Sequence, residues 1–299
     1  MAGILGDLPP DALPVAYLVS GVLFIVGLRK LTHPRTAKRG NAISAAGMAL
    51  AVGVTVLWFE ILSPLVLVAA VLVGAGIGTW LALTVETTDM PQLVGLFNGF
   101  GGGASALVAG AELVAPVGSS GASELTATVT GAAAVTGLVG AVTFCGSLVA
   151  AGKLHGLYED PIRYPGENGV KGAVFVLAVA FALFLVTQSS PFGPGQTGAV
   201  APYWALVAAA ALLGVLLVVP IGGADMPVVI ALLNACSGLA AASTGFVLNN
   251  SVLIIAGTLV GASGIILTVV MCRSMNRSLG NVLFGTYGEA RGAAADEAD

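Results

Sequence analysis

The chain has 299 residues, of which 57% are hydrophobic and only 9% charged, and its net charge is −4; mean hydropathy is +0.99. Soluble domains average about 25% charged residues, and a globule of this composition would expose too much apolar area to stay in water, so an ordinary soluble fold is excluded. An acidic balance without clustered Lys and Arg excludes a nucleic-acid partner, and 42 glycines without a three-residue period exclude a collagen-like chain.

Nine hydrophobic segments follow along the chain, at 13–28, 41–59, 63–84, 91–112, 126–151, 169–188, 202–220, 227–248 and 252–272. A membrane-spanning helix needs about 20 apolar residues. The first segment does not read as a secretory signal, because its leader holds Asp7 and Asp11 and no positive charge. With nine alternating spans, loops 29–40, 85–90, 152–168 and 221–226 share one face with the C-terminal tail. That face receives Arg29, Lys30, Arg35, Lys38, Arg39, Lys153, Arg163, Lys171, Arg273, Arg277 and Arg291, all 11 basic residues of the chain. The other face holds acids alone: Asp7, Asp11, Glu60, Glu112 and Glu124. Positive charge marks the cytoplasmic side. The expected architecture is an all-α polytopic membrane protein with nine transmembrane helices, the N-terminus outside and the C-terminus cytoplasmic.

Cys145, Cys236 and Cys272 each sit within an apolar run, with no C-x-x-C pair, and read as small packing residues. His33 and His155 fall in loops without a second ligand at metal spacing.

Two segments share a pattern: Asp89-Met-Pro-Gln-Leu-Val-Gly-Leu-Phe-Asn98 and Asp225-Met-Pro-Val-Val-Ile-Ala-Leu-Leu-Asn234. Gly102 and Ala104 continue the register as Gly238 and Ala240. Helices three to five therefore read as a duplicate of helices seven to nine, a parallel three-helix repeat of the kind whose interfaces hold sites in some transporters. Pro91 and Pro227 suit the first turn of a helix, and Asp89 and Asp225 before them suit helix caps facing the positive end of the dipole. Asn98 and Asn234 lie seven residues past the prolines, about 10 Å into their helices, with Ser147 at a similar depth on the fifth helix. These three groups serve either as interhelical hydrogen bonds or as polar positions on an ion or proton path.

Gly99-Phe-Gly101-Gly-Gly103-Ala104 matches the G-x-G-x-x-A dinucleotide fingerprint. That motif works only between a strand and a helix, where free amides meet pyrophosphate. Here it begins inside an apolar span, so close helix packing is the expectation.

The stretches DMPQLVGLFNGFGGGASALVAG (89–110), GAVTFCGSLVAAGKL (140–154), GGADMPVVIALLN (222–234) and LIIAGTLVGASGIILTVVMCRSMNRS (253–278) closely resemble the beta subunit of the proton-translocating NAD(P) transhydrogenases. The resemblance covers most of residues 13–285 in four ordered blocks. It implies a membrane component of an enzyme that couples hydride transfer between NADH and NADP+ to proton movement. It implies nine membrane helices followed by an NADP(H)-binding domain, which the sequence after 280 does not resemble. Residues 1–280 are thus expected to form the proton-channel domain and 281–299 an acidic cytoplasmic tail. NAD(H) and NADP(H) are expected on partner domains, with no cofactor bound by this chain and no hydride transfer by it alone. The implied partners are alpha subunits with an NAD(H) domain and membrane helices, a separate NADP(H)-binding domain, membrane lipid, and a second copy of the whole complex, in the cell membrane.

The resemblance carries a proton-pathway role to Asn98, Ser147 and Asn234, and a role in coupling to the NADP(H) domain to Asp225, Arg273, Ser274 and Arg277. Some members carry a conducting histidine at the position of Asn98; those with asparagine take one from a partner-chain helix. Two other readings stay open on the residues alone: a stand-alone small-solute transporter, and a scaffold that conducts nothing.

Overall fold

In the computed structural model, residues 12–59, 64–114, 126–157, 161–163, 165–187 and 196–284 are described. Among them every long element is helical. In chain order these are α1 (Ala12–Leu31), α2 (Pro34–Phe59), α3 (Pro64–Thr84), α4 (Met90–Val114), α5 (Ala127–Leu154), α6 (Glu167–Thr187), α7 (Gln196–Val218), α8 (Met226–Val247), α9 (Ser251–Ser274) and the short α10 (Leu279–Phe284). A single 3-10 turn precedes each of α4 and α8, at Thr87–Asp89 and Gly223–Asp225.

The nine longer helices, of 20 to 28 residues, overlie the nine apolar segments of the sequence. Seven of them are long and apolar enough to cross a membrane: α1 and α4 to α9. The first turns of α2 carry Arg35, Lys38 and Arg39, whereas α3 is apolar along its whole length. The all-helical membrane architecture therefore rests on seven apolar spans.

Helix boundaries differ from the sequence expectation where charge or proline disguised a helix. The expected loop 29–40 is almost entirely helical, because Pro34 starts α2 with a fixed φ suited to a first turn and Arg and Lys are good helix formers. Helix α7 begins at Gln196, not 202, and carries Pro202 in its interior. Residues 279–284 form α10, whose buried Val282 joins an apolar cluster with Met226 and Cys272, so the packed part runs past residue 280. Residues 285–299, the acidic stretch, lie outside the described residues.

The described residues form two compact units, one drawn from 12–87 and 249–256, the other from 88–248 and 257–284. In the first, α1 and α2 pack as a hairpin. The Ser20 hydroxyl donates to the Gly47 carbonyl at 2.7 Å, and Tyr17 and Thr55 share a hydrogen bond of 2.7 Å.

In the second unit α5 is central and packs against α4, α6, α7 and α8. Its start is capped by Thr126, which accepts from the Val129 amide. Its end is closed by Gly156 at φ +75°, with Leu157 N–H bonding Gly152 O and Gly156 N–H bonding Lys153 O. These are the paired bonds of a left-handed helix stop. Two apolar clusters form at opposite ends of the helices, one around Leu113, Val129, Tyr203 and Leu206, the other around Val218, Met226, Val229 and Leu233.

Between the clusters, α4 and α5 run antiparallel with their backbones almost touching. A Cβ at Gly102 would lie 2.8 Å from Gly140 O, and one at Gly140 would lie 2.6 Å from Gly102 O. Helices α8 and α9 approach as closely, with Gly238 against Gly257 and Gly261. Gly102 and Gly238 are the positions that share a register after Pro91 and Pro227. Small residues let helices approach this way in hydrocarbon, where burial of apolar surface gives no drive for association.

Gly140→Leu should force α4 off α5 and destabilise the protein by about 1–3 kcal/mol or more, as overpacking does. Gly131→Leu on the same helix, where nothing lies within 4 Å, should leave the melting temperature in detergent close to that of the parent chain.

Candidate functional site

The α4–α5 contact brings polar groups together below it. Gly99 faces Phe144 O and Ser147 Cβ, at 3.2 and 3.3 Å from the place a side chain would take. One residue earlier, Asn98 Nδ2 donates to Ser147 Oγ at 2.9 Å, and both residues are buried. The structure thus joins two of the three predicted mid-helix polar positions. Asn234, half-buried on α8, makes no hydrogen bond to either of them among the described residues. A carboxamide and a hydroxyl in apolar surroundings can relay hydrogen bonds, but neither titrates near neutral pH. The pair contains no proton-accepting base.

The second feature lies at the end of the helices that carries the Asp225 turn. Asp225 occupies the N-cap position of α8, yet its side chain makes no capping bond. Its carboxylate instead accepts from Arg277 Nη1 at 3.0 Å. The capping role expected for Asp225 is thereby corrected, since a guanidinium is a stronger partner for a buried carboxylate than a backbone amide. The Asp225 side chain is 5% exposed and that of Arg277 26%. Local chain geometry delivers the arginine. Asn276 takes φ +50°, Asn276 N–H bonds Arg273 O, and Arg277 N–H bonds Cys272 O, a left-handed stop to α9 that turns Arg277 back toward α8. Asp89, the counterpart of Asp225, ends its 3-10 turn half-buried. Arg273 and Ser274 are exposed, and the Ser274 hydroxyl is given to Val270 O at 2.8 Å.

Two further residues satisfy backbone carbonyls at this end of the helices. Lys153, buried near the end of α5, donates from Nζ to Val219 O and to Ile221 O, the latter at 2.7 Å. It satisfies carbonyls at and just beyond the end of α7, where a cation is favoured by the helix dipole. Gln92 Nε2 donates to Leu154 O at 2.8 Å and satisfies the end of α5 likewise. The only signal in the sequence was position: a lysine and a glutamine within one turn of apolar spans, where unpaired polar groups are costly.

Residues 99–104 lie within α4. Their amides are committed to the helix, so the G-x-G-x-x-A stretch has no free N–H cradle for a dinucleotide phosphate.

Arg277→Ala leaves a buried carboxylate without its partner and should cost about 3 kcal/mol, as breaking a buried ion pair does. Arg277→Lys should recover part of that, and denaturation of the purified protein in detergent reads both.

The sequence profile of the NAD(P) transhydrogenase beta subunit family matches residues 13–299. Two curated proteins from Rhodospirillum rubrum, each described as NAD(P) transhydrogenase subunit beta, are 43% identical over 286 residues. The match takes in 94% of this chain and 59% of each of theirs, so the chain spans about three-fifths of the length of these relatives. With its seven apolar helices, it is a multi-pass membrane protein. The chain belongs to the NAD(P) transhydrogenase beta subunit family.

Proposed function

We propose that this chain is the proton-conducting membrane part of an NAD(P) transhydrogenase, which couples hydride transfer between NADH and NADP+ to proton movement across the cell membrane. The observation that carries this reading is the buried Asn98–Ser147 hydrogen bond, held mid-helix by the glycine contact of α4 and α5 in a member of this family. Asn98, Ser147 and Asn234 line the path, with water between them. No carboxylate or imidazole belongs to this set, so the titrating group comes from a helix of an alpha subunit.

All nine long helices cross the membrane, with the Asp89 and Asp225 turns and the basic residues on the cytoplasmic side. Helices α3 to α5 and α7 to α9 form a parallel repeat; the matched glycine contacts at Gly102 and Gly238 support it. NADP(H) and NAD(H) bind on partner domains, and the complex pairs as a dimer. The ion pair Asp225–Arg277 ties the start of α8 to the end of α9. A nucleotide-binding domain docked against Arg273, Ser274 and Arg277 would strain or relax that tie, and through α8 would move Asn234.

The test is proton pumping and hydride transfer by the assembled complex in vesicles. Asn98→Leu and Asn234→Leu should each lower coupled turnover by about tenfold or more, the equivalent of one hydrogen bond in the transition state, while the complex still assembles. Unchanged pumping and hydride transfer would remove the substituted residue from the path.

A further inference from the structure

Hydroxyls inside these helices mostly return their proton to the backbone of the preceding turn. Thr130, Thr244, Thr268, Ser105 and Ser274 bond the carbonyls of Thr126, Ala240, Gly264, Gly101 and Val270, the usual resting place for such a group in a helix. Two buried hydroxyls on α5 make no hydrogen bond of any kind. Thr136 and Thr143 are both 0% exposed, and neither Oγ1 has a hydrogen-bond partner among the described residues.

Their positions are not scattered. Thr136, Thr143 and Ser147 fall within an arc of about 40° on one face of α5 and span about 16 Å of its axis. Thr143 turns its methyl and Cβ, not its hydroxyl, onto α4: a Cβ at Gly102 would meet them at 3.0 and 2.8 Å. Ser147, at one end of the row, accepts from Asn98 and retains its own proton to donate. At the other end, the residue after Thr136 is Gly137, whose missing side chain leaves room for the buried Tyr203 ring. The Tyr203 hydroxyl donates to Ala106 O at 2.5 Å.

A buried hydroxyl that bonds nothing costs about 1–3 kcal/mol, whereas an apolar group of the same shape can be neutral there. Valine has that shape, so packing alone gives no reason for threonine at either position. Water resolves the imbalance, because buried water settles where polar groups lack protein partners. We propose that Thr143 and Thr136 each hold buried water, and that this water continues the polar path from Asn98 and Ser147 toward the N-terminal end of α5. The sites stand on the geometry of α5 alone; their place on a proton path rests on the functional reading above.

Two readouts keep these apart, both on the assembled complex in vesicles after Cys145, Cys236 and Cys272 are replaced by alanine. In that background Thr143→Cys and Thr136→Cys are exposed to silver ion, and the thiols left free are counted after denaturation. Water at the sites predicts that both thiols are blocked, while Ala133→Cys, equally buried in the apolar cluster, stays free. If the threonine-derived thiols stay as free as that control, the sites are dry and the proposal is overturned. Proton pumping is the second readout. Thr143→Val should lower it by about five- to tenfold, the value of one hydrogen bond, and Thr143→Ser, which keeps the hydroxyl, should restore most of it. Blocked thiols with normal pumping in Thr143→Val would overturn the continuation of the path while leaving the water sites in place.

Discussion

Everything at the centre of the larger unit depends on two backbones meeting without side chains between them. Gly102 and Gly140 let α4 and α5 approach until a single added Cβ would strike the opposite carbonyl. In hydrocarbon the gain from burying apolar surface is absent, and close van der Waals contact takes its place. One turn along α4 from Gly102, and two turns along α5 from Gly140, the same approach sets Asn98 within hydrogen-bond distance of Ser147. Wider helix spacing would leave the carboxamide and hydroxyl each without that partner, a cost no lipid chain can repair.

The same accounting of polar groups explains the end of the unit where α5, α7 and α9 stop. Lys153, Gln92 and Arg277 each reach a carbonyl or carboxylate of another segment. Together they fasten α4 to α5, α5 to the turn after α7, and α9 to the start of α8. A displacement of the last turn of α9 is therefore felt at Asp225, at the head of the helix that carries Asn234. In the proposed function, a nucleotide-binding domain docked at Arg273–Arg277 would reach the middle of α8 by way of this one charged hydrogen bond.

Much of this was legible in the sequence, and the omissions have causes. The apolar runs located nine long helices, because segment length and hydropathy are set residue by residue. They misjudged starts: Arg35, Lys38 and Arg39 look like a loop by hydropathy yet have good helix propensity, and Pro202 looks like a start yet sits inside α7. Asn98 and Ser147 were found because polar residues stand out in apolar runs. Their partnership was anticipated only as a shared depth, since depth follows from counting and facing does not. Asp225 was read as a cap from the Asp-x-Pro spacing, a local signal; its partner lies 52 residues away and is delivered by the left-handed Asn276, which spacing does not reveal. Thr136 and Thr143 drew no notice because threonine is ordinary in such helices. What sets them apart is the lack of a back-bond, visible only with coordinates.

The central claim is that Asn98 and Ser147 act as one unit on the proton path. A double-mutant cycle on proton pumping by the assembled complex measures it, with Asn98→Leu, Ser147→Ala and the pair together. If the hydrogen bond is the functional element, the pair loses no more than the worse single change, because either substitution alone already breaks it. Losses that multiply, as for two independent sites, would contradict the account.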